Sequence, residues 1–257
     1  MTAPALALRQ VVYENKAFWR NPPAAFFVFA FPLMFLVIFN IAFGSQPIDI
    51  RGGRAAASFF IVPAIVTFSL INATFTNLAL NIAFAKDAGL LKRVRGTPLP
   101  PWSFLAAKLI HAVFVMALLV FITTAVGALF YDVDVPDNTL PAVIAALVVG
   151  AASFSALGLA ATAAIPNADA APAIVNAIIL PLYFVSDVFI RIEDPPAWMD
   201  LLREVTPVKH LQEAFFTAYN PFIGGAGFEW GDLAVVAVWG AAGLCLAILF
   251  FTWEPRR

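Results

Sequence analysis

The chain has 257 residues, 62% of them hydrophobic and 12% charged, with a mean hydropathy of +0.88. A soluble domain carries about 25% charged residues and could not withdraw so much apolar surface from water, so a soluble enzyme and a disordered chain are both excluded. A net charge of −1 and a pI of about 6.1 leave no basic footprint for nucleic acid, and the lone Cys245 allows no disulfide framework.

What remains is an all-α membrane protein, read as one transmembrane domain over residues 1–257. Residues 5–20 (ALALRQVVYENKAFWR) mix apolar positions near helical spacing with Arg9, Glu14, Lys16 and Arg20, which predicts an amphipathic helix lying in the membrane interface. It could be a plain anchor or a docking element. Asn21-Pro22-Pro23 breaks it, and the chain turns into the bilayer. The first twenty residues lack an apolar core, so the first apolar run is expected to be a true span and not a cleaved signal.

A spanning helix needs about 20 mostly apolar residues, and the charge-poor windows predict six, near 24–44, 57–84, 104–130, 140–165, 170–190 and 231–252. The second is unusually polar; Thr74, Asn77 and Asn81 fall at i, i+3 and i+7, one stripe of a helix. Asn is costly in hydrocarbon, so such residues face other helices or a wet cavity. Between the second and third spans, Lys86, Lys92, Arg93, Arg95 and Lys108 surround a short predicted helix ending near Gly96, followed by Thr97-Pro98 and Pro100-Pro101. Anionic-lipid contact accounts for this charge as well as partner docking does.

The third span holds His111, read as a hydrogen-bonded structural residue. Asp132, Asp134 and Asp137 form a solvated acidic turn without the rest of a calcium loop. The fifth window is short and reaches span length only if Val188–Ile190 continue it past Asp187, which stands alone near a membrane face. Residues 195–222 read as an amphipathic helical hairpin, two short helices near 196–205 and 208–218 broken at Thr206-Pro207, re-entering the outer leaflet.

With both termini in the cytoplasm, the inner segments hold ten Lys and Arg against four acids, and the outer ones five against twelve. The inner face is then 10 − 4 = +6 and the outer 5 − 12 = −7, as the positive-inside rule requires. No phosphate-binding loop, zinc helix or nucleophile elbow is present, so any energy spent here comes from another chain.

Several motifs in this order are similar to those of one family. They are Arg20-Asn21-Pro22, Pro32 and Phe43-Gly44 around the first span, Leu91-Lys92-Arg93-Val94-Arg95-Gly96-Thr97-Pro98-Leu99, and Leu180-Pro181 to Ser186 followed by Pro195, Pro196, Trp198 and Thr206-Pro207. Over nearly its whole length the chain resembles the membrane (permease) subunit of type-2 ABC transporters. Two positions depart from the pattern: Asp187 stands where glycine is common, and Arg191 where proline is.

The resemblance implies an ATP-driven exporter in a prokaryotic plasma membrane, moving an amphipathic, drug-like or lipidic molecule. A glycan or lipid-linked polysaccharide exporter is the alternative. It implies a separate ATP-binding cassette subunit carrying ATP and Mg2+, with no cofactor or ATPase site in this chain, and a second permease chain, a homodimer in preference to a heterodimer. It assigns coupling to Arg9, Lys16, Arg20, Leu91, Lys92, Arg93, Arg95 and Gly96. It puts the pathway between the second and fifth spans, at Asn72, Asn77, Asn81, Asn176 and Tyr183. Two other classes, a membrane-embedded lipid-modifying enzyme and a non-transporting assembly subunit, predict a pair of titratable groups at one face, or no effect on a partner ATPase.

Overall fold

Pro22 and Pro23 sit where a helix has no use for its first N–H groups, and they separate α1 (Ala3–Trp19) from α2 (Pro22–Phe43). The computed structural model describes residues 3–96, 101–189 and 195–251. Thr97, Pro98, Leu99, Pro100, Ile190, Arg191 and the C-terminal Arg256 and Arg257, on which part of the sequence reading rests, lie outside the described residues, as do the side chains of Val94, Arg95 and Pro101.

After α2 comes an element the sequence reading did not foresee in an all-α chain. β1 (Pro47–Ile50) and β2 (Gly53–Ala56) pair antiparallel, with Ile50 opposite Gly53. The turn needs Gly52, whose φ is +100° and where a Cβ would stand 2.7 Å from the Phe222 side chain. The chain returns through α3 (Ser58–Ile71), a π turn (Asn72–Thr76) and α4 (Asn77–Asp87), and then makes the short α5 (Leu90–Arg95). α6 (Pro101–Tyr131), α7 (Leu140–Ala161), α8 (Ala171–Val185), α9 (Ala197–Val205), α10 (Pro207–Ala218) and α11 (Trp230–Phe250) follow.

Among the described residues, five helical segments are long and apolar enough to cross a bilayer: Ala25–Phe43, Ser58–Asp87, Ala106–Tyr131, Leu140–Ala161 and Trp230–Phe250. α8 is apolar but has only 15 residues, about 22 Å at 1.5 Å per residue. The expected continuation of this helix to residue 190 is not observed. The helix stops at Val185 because Asp187 takes a left-handed backbone (φ +57°), a helix-ending conformation that glycine usually supplies. Asp187 is also not solitary. Its carboxylate pairs with the Arg203 guanidinium of α9, where Arg203 is buried and Asp187 largely so.

Close packing without bulky side chains joins α7 to α11. A Cβ at Gly240 would lie 2.7 Å from Ser153 Cα, and one at Gly243 2.9 Å from the Leu157 backbone nitrogen, the small-residue contact that holds helices together in lipid. The α9–α10 hairpin folds into the bundle beside this pair. Val208, Leu211 and Phe215 are fully buried, Leu211 fills the space left by Gly150, and Trp239 Nε1 donates to Val205 O at 2.7 Å. Trp239 lies about 13 Å along α11 from Trp230, so the turn between the two short helices meets α11 well past its N-terminal end. At the opposite end α1 packs along α6.

Candidate functional site: an aromatic cavity above a polar row

The π turn decides which face of the second long helix is open. Asn77 N–H bonds to Asn72 O, five residues back, and the extra residue stretches the repeat. Asn72, Ala73, Thr76, Asn77, Leu80 and Asn81 form the partly open or exposed face, while Thr74 is fully buried and turns its hydroxyl back to Leu70 O at 2.6 Å. The predicted stripe of Thr74, Asn77 and Asn81 is therefore corrected: Thr74 leaves it, because the π turn breaks the 3.6-residue register. Gly158 of α7 allows the wide turn, since a Cβ there would stand 2.8 Å from Phe75 O.

At the hairpin end this face meets α2 and α8 around a cavity of about 560 Å³. Phe31, Phe35, Phe39, Phe68, Phe184 and Phe189 line it with Asn72, Thr76, Asn176 and Tyr183. The rings pack on one another, Phe31 to Phe35 at 4.8 Å and Phe68 to Tyr183 and Phe189 at 5.1 and 5.4 Å between centroids. Tyr183 is buried and its hydroxyl donates to Phe68 O at 3.4 Å, the partner a buried tyrosine needs. Among the described residues the Asn72 and Asn176 amides have no hydrogen-bond partner, though both border an apolar wall. A polar group so placed calls for a ligand, water or another chain.

Below the cavity a cleft of about 200 Å³ carries Asn72 and Asn77, and then a pocket of about 300 Å³ carries Asn77, Asn81, Glu14, Phe18, Lys108 and His111. The Asn81 amide donates to Asn77 O and Oδ1 at 2.8 and 2.9 Å. The structure thus brings Asn72, Asn176 and Tyr183 together, and Asn77 and Asn81 into a row leading away from them.

At the α1 end, Lys108 of α6 pairs with Glu14 of α1 at 3.0 Å, both side chains largely buried. Phe18 meets the His111 ring edge-on at 5.4 Å, and Trp19 stacks on Phe29 at 5.8 Å. His111 is not the hydrogen-bonded residue expected: its Nδ1 is buried without a partner among the described residues. The Glu14–Lys108 tie escaped sequence reading because the two residues are 94 positions apart; the signal was an acid on the apolar flank of α1.

Of the residues assigned to coupling, Arg9 and Lys16 are exposed on α1 and Arg20 just after it, Arg9 resting over the Tyr13 ring at 5.8 Å. Lys92, Arg93 and Gly96 are exposed on or just after α5. Leu91 differs: it is fully buried against Leu78 and Ile82 and fastens α5 to α4. Among the described residues no cluster of His, Cys, Asp and Glu could hold a metal ion.

Residues 9–219 match the profile of a family described as ABC-2 type transporter. A protein of Porphyra purpurea that bears the name transport permease ycf38 is 21% identical over 237 residues, covering 91% of this chain and 79% of that protein.

Proposed function

Because the chain belongs to the ABC-2 type transporter family, and so is a multi-pass transporter membrane subunit, we propose that it is the permease of an ATP-driven exporter of amphipathic or lipidic molecules. The observation that carries this reading is the phenylalanine-lined cavity with two unpartnered amides at the head of a polar row. Six phenylalanines against two amides, a threonine and a tyrosine suit a cargo with a large apolar body and few polar groups. A glycan would need many more hydrogen-bond partners than this wall offers.

In this reading α8 is a sixth crossing completed beyond Val185, both termini are cytoplasmic, and the α9–α10 hairpin re-enters the extracytoplasmic leaflet. The membrane is a prokaryotic plasma membrane. Two copies of the chain pair and enclose the pathway between their α3–α4 and α8 faces. The family normally works with an ATP-binding subunit; ATP and Mg2+ act there. Its movements reach α1 through Arg9, Lys16 and Arg20 and reach α5 through Lys92, Arg93, Arg95 and Gly96. The Glu14–Lys108 pair carries them on to α6.

Reconstitution with the partner ATPase tests the cargo class. Amphipathic molecules should stimulate ATP hydrolysis, and Asn176→Leu should abolish the stimulation while leaving basal hydrolysis intact. Stimulation by soluble glycans and not by amphipathic compounds would replace this reading with the glycan exporter.

A further inference from the structure

We propose that the pocket at the α1 end is a headgroup site. It takes the small uncharged head, a hydroxyl or an amide, of a single-chain amphipath whose tail lies in the cleft leading to the aromatic cavity. That this amphipath is the cargo rests on the exporter reading above; the kind of head does not.

The pocket, about 300 Å³, lies between α1, α2, α4 and α6. Among the described residues, the charged side chains on its wall are Glu14 and Lys108, 18% and 17% exposed and opposed at 3.0 Å. Their charges cancel. An ammonium or a phosphate entering this space would lose water without gaining a counter-charge. Arg9 and Lys16 of α1 and Arg20 just after it do not line the pocket.

What the wall offers is amides, those of Asn21, Asn77 and Asn81. Asn81 Nδ2 is spent on Asn77 O and Oδ1 at 2.8 and 2.9 Å. Asn81 Oδ1 is left as an acceptor and Asn77 Nδ2 as a donor, neither with a partner among the described residues. His111 lines the same wall, and its buried Nδ1 is likewise without one. A hydroxyl or a carboxamide carries donor and acceptor together and serves both. An alkyl end would leave them unpaired.

Depth fits an amphipath. Lys108 stands near the start of the span that opens at Ala106. Asn77 lies about 15 Å along α4 from the helix end at Asp87, about half of a 30 Å hydrocarbon core. Val28, Ala73 and Asn77 line both this pocket and the next cleft, where Phe27, Pro32 and Leu80 supply an apolar bed for a tail.

The test is photo-crosslinking of the full chain in lipid nanodiscs. Three probes share one diazirine-bearing alkyl chain and differ in head: an alkylglycerol, an alkylamine and an alkyl phosphate. Adducts on residues 77–81 and 108–115 report the pocket. In the wild type the alkylglycerol should give about tenfold more adduct there than either charged probe, the effect of one uncompensated desolvation. Glu14→Gln leaves the wall positive, and preference should pass to the alkyl phosphate. Lys108→Met leaves it negative, and preference should pass to the alkylamine. A variant that merely loosened α1 would change all three probes alike. Equal labelling by the three heads, a wild-type preference for either charged head, or preferences that do not follow the two charge changes overturns the proposal.

With the partner ATPase present, the alkylglycerol should also stimulate ATP hydrolysis. Pocket labelling without stimulation would overturn the cargo reading and still support the headgroup site.

Discussion

Asp187 combines a left-handed backbone, φ +57°, with a carboxylate that is 14% exposed beside Arg203. The family resemblance puts glycine at this position, and the backbone accounts for that preference, since only glycine takes such φ without strain. Here the strain is offset by a buried ion pair. Breaking such a pair from one side costs about 3 kcal/mol, so Arg203→Ala should lower the unfolding midpoint clearly. Arg203→Ala combined with Asp187→Gly should recover most of the loss, because glycine removes both the stranded carboxylate and the strain. A double variant no more stable than Arg203→Ala contradicts this account. The acid itself was legible in the sequence as an oddity at a span boundary. Its partner was not, because a pair across a helix end and a turn leaves no periodic trace. Asn72, Asn176 and Tyr183 were legible for the opposite reason: a polar side chain in an apolar helix must find a partner or a cavity wherever the helix points.

At the scale of elements, the π turn governs where polar residues of the second long helix face. Inserting one alanine after Thr76 should turn α4 by about 100° relative to α3, because a turn that already holds one extra residue does not take up a second, carrying Asn77 and Asn81 away from Asn72. The expected result is a protein that still inserts and folds but no longer shows cargo-stimulated ATP hydrolysis with its partner. Retained stimulation would show that the row from Asn72 to Asn81 is not used. Sequence periodicity located the long helices, α1, α5 and the α9–α10 pair to within a few residues, because long apolar runs and proline breaks dominate those choices. It missed the π turn, since one extra residue changes no composition, and it missed the β-hairpin, since residues 47–56 are too short and mixed for alternation to show. α8 was read as too long because apolar composition continues past Val185, whereas the stop is set by the backbone at Asp187.

Across the whole molecule, the exposed basic residues of α1 and α5 stand at one end and the aromatic cavity toward the other, joined by the polar row and by the Glu14–Lys108 tie between α1 and α6. That arrangement suits a subunit whose energy arrives at one end and whose cargo site lies in the membrane. The charge asymmetry was readable from sequence, because Lys and Arg placement is a property of loops. The cavity was not, because it depends on three helices distant in the chain. The proposal that a separate ATPase drives this chain through α1 and α5 stands or falls on what purifies with the tagged chain from its own host in mild detergent. The expected result is a stoichiometric ATP-hydrolysing subunit, still bound but no longer stimulated by cargo when Lys92 and Arg93 are replaced by Ala. A chain that purifies alone under several mild conditions, or a complex indifferent to those replacements, would contradict it.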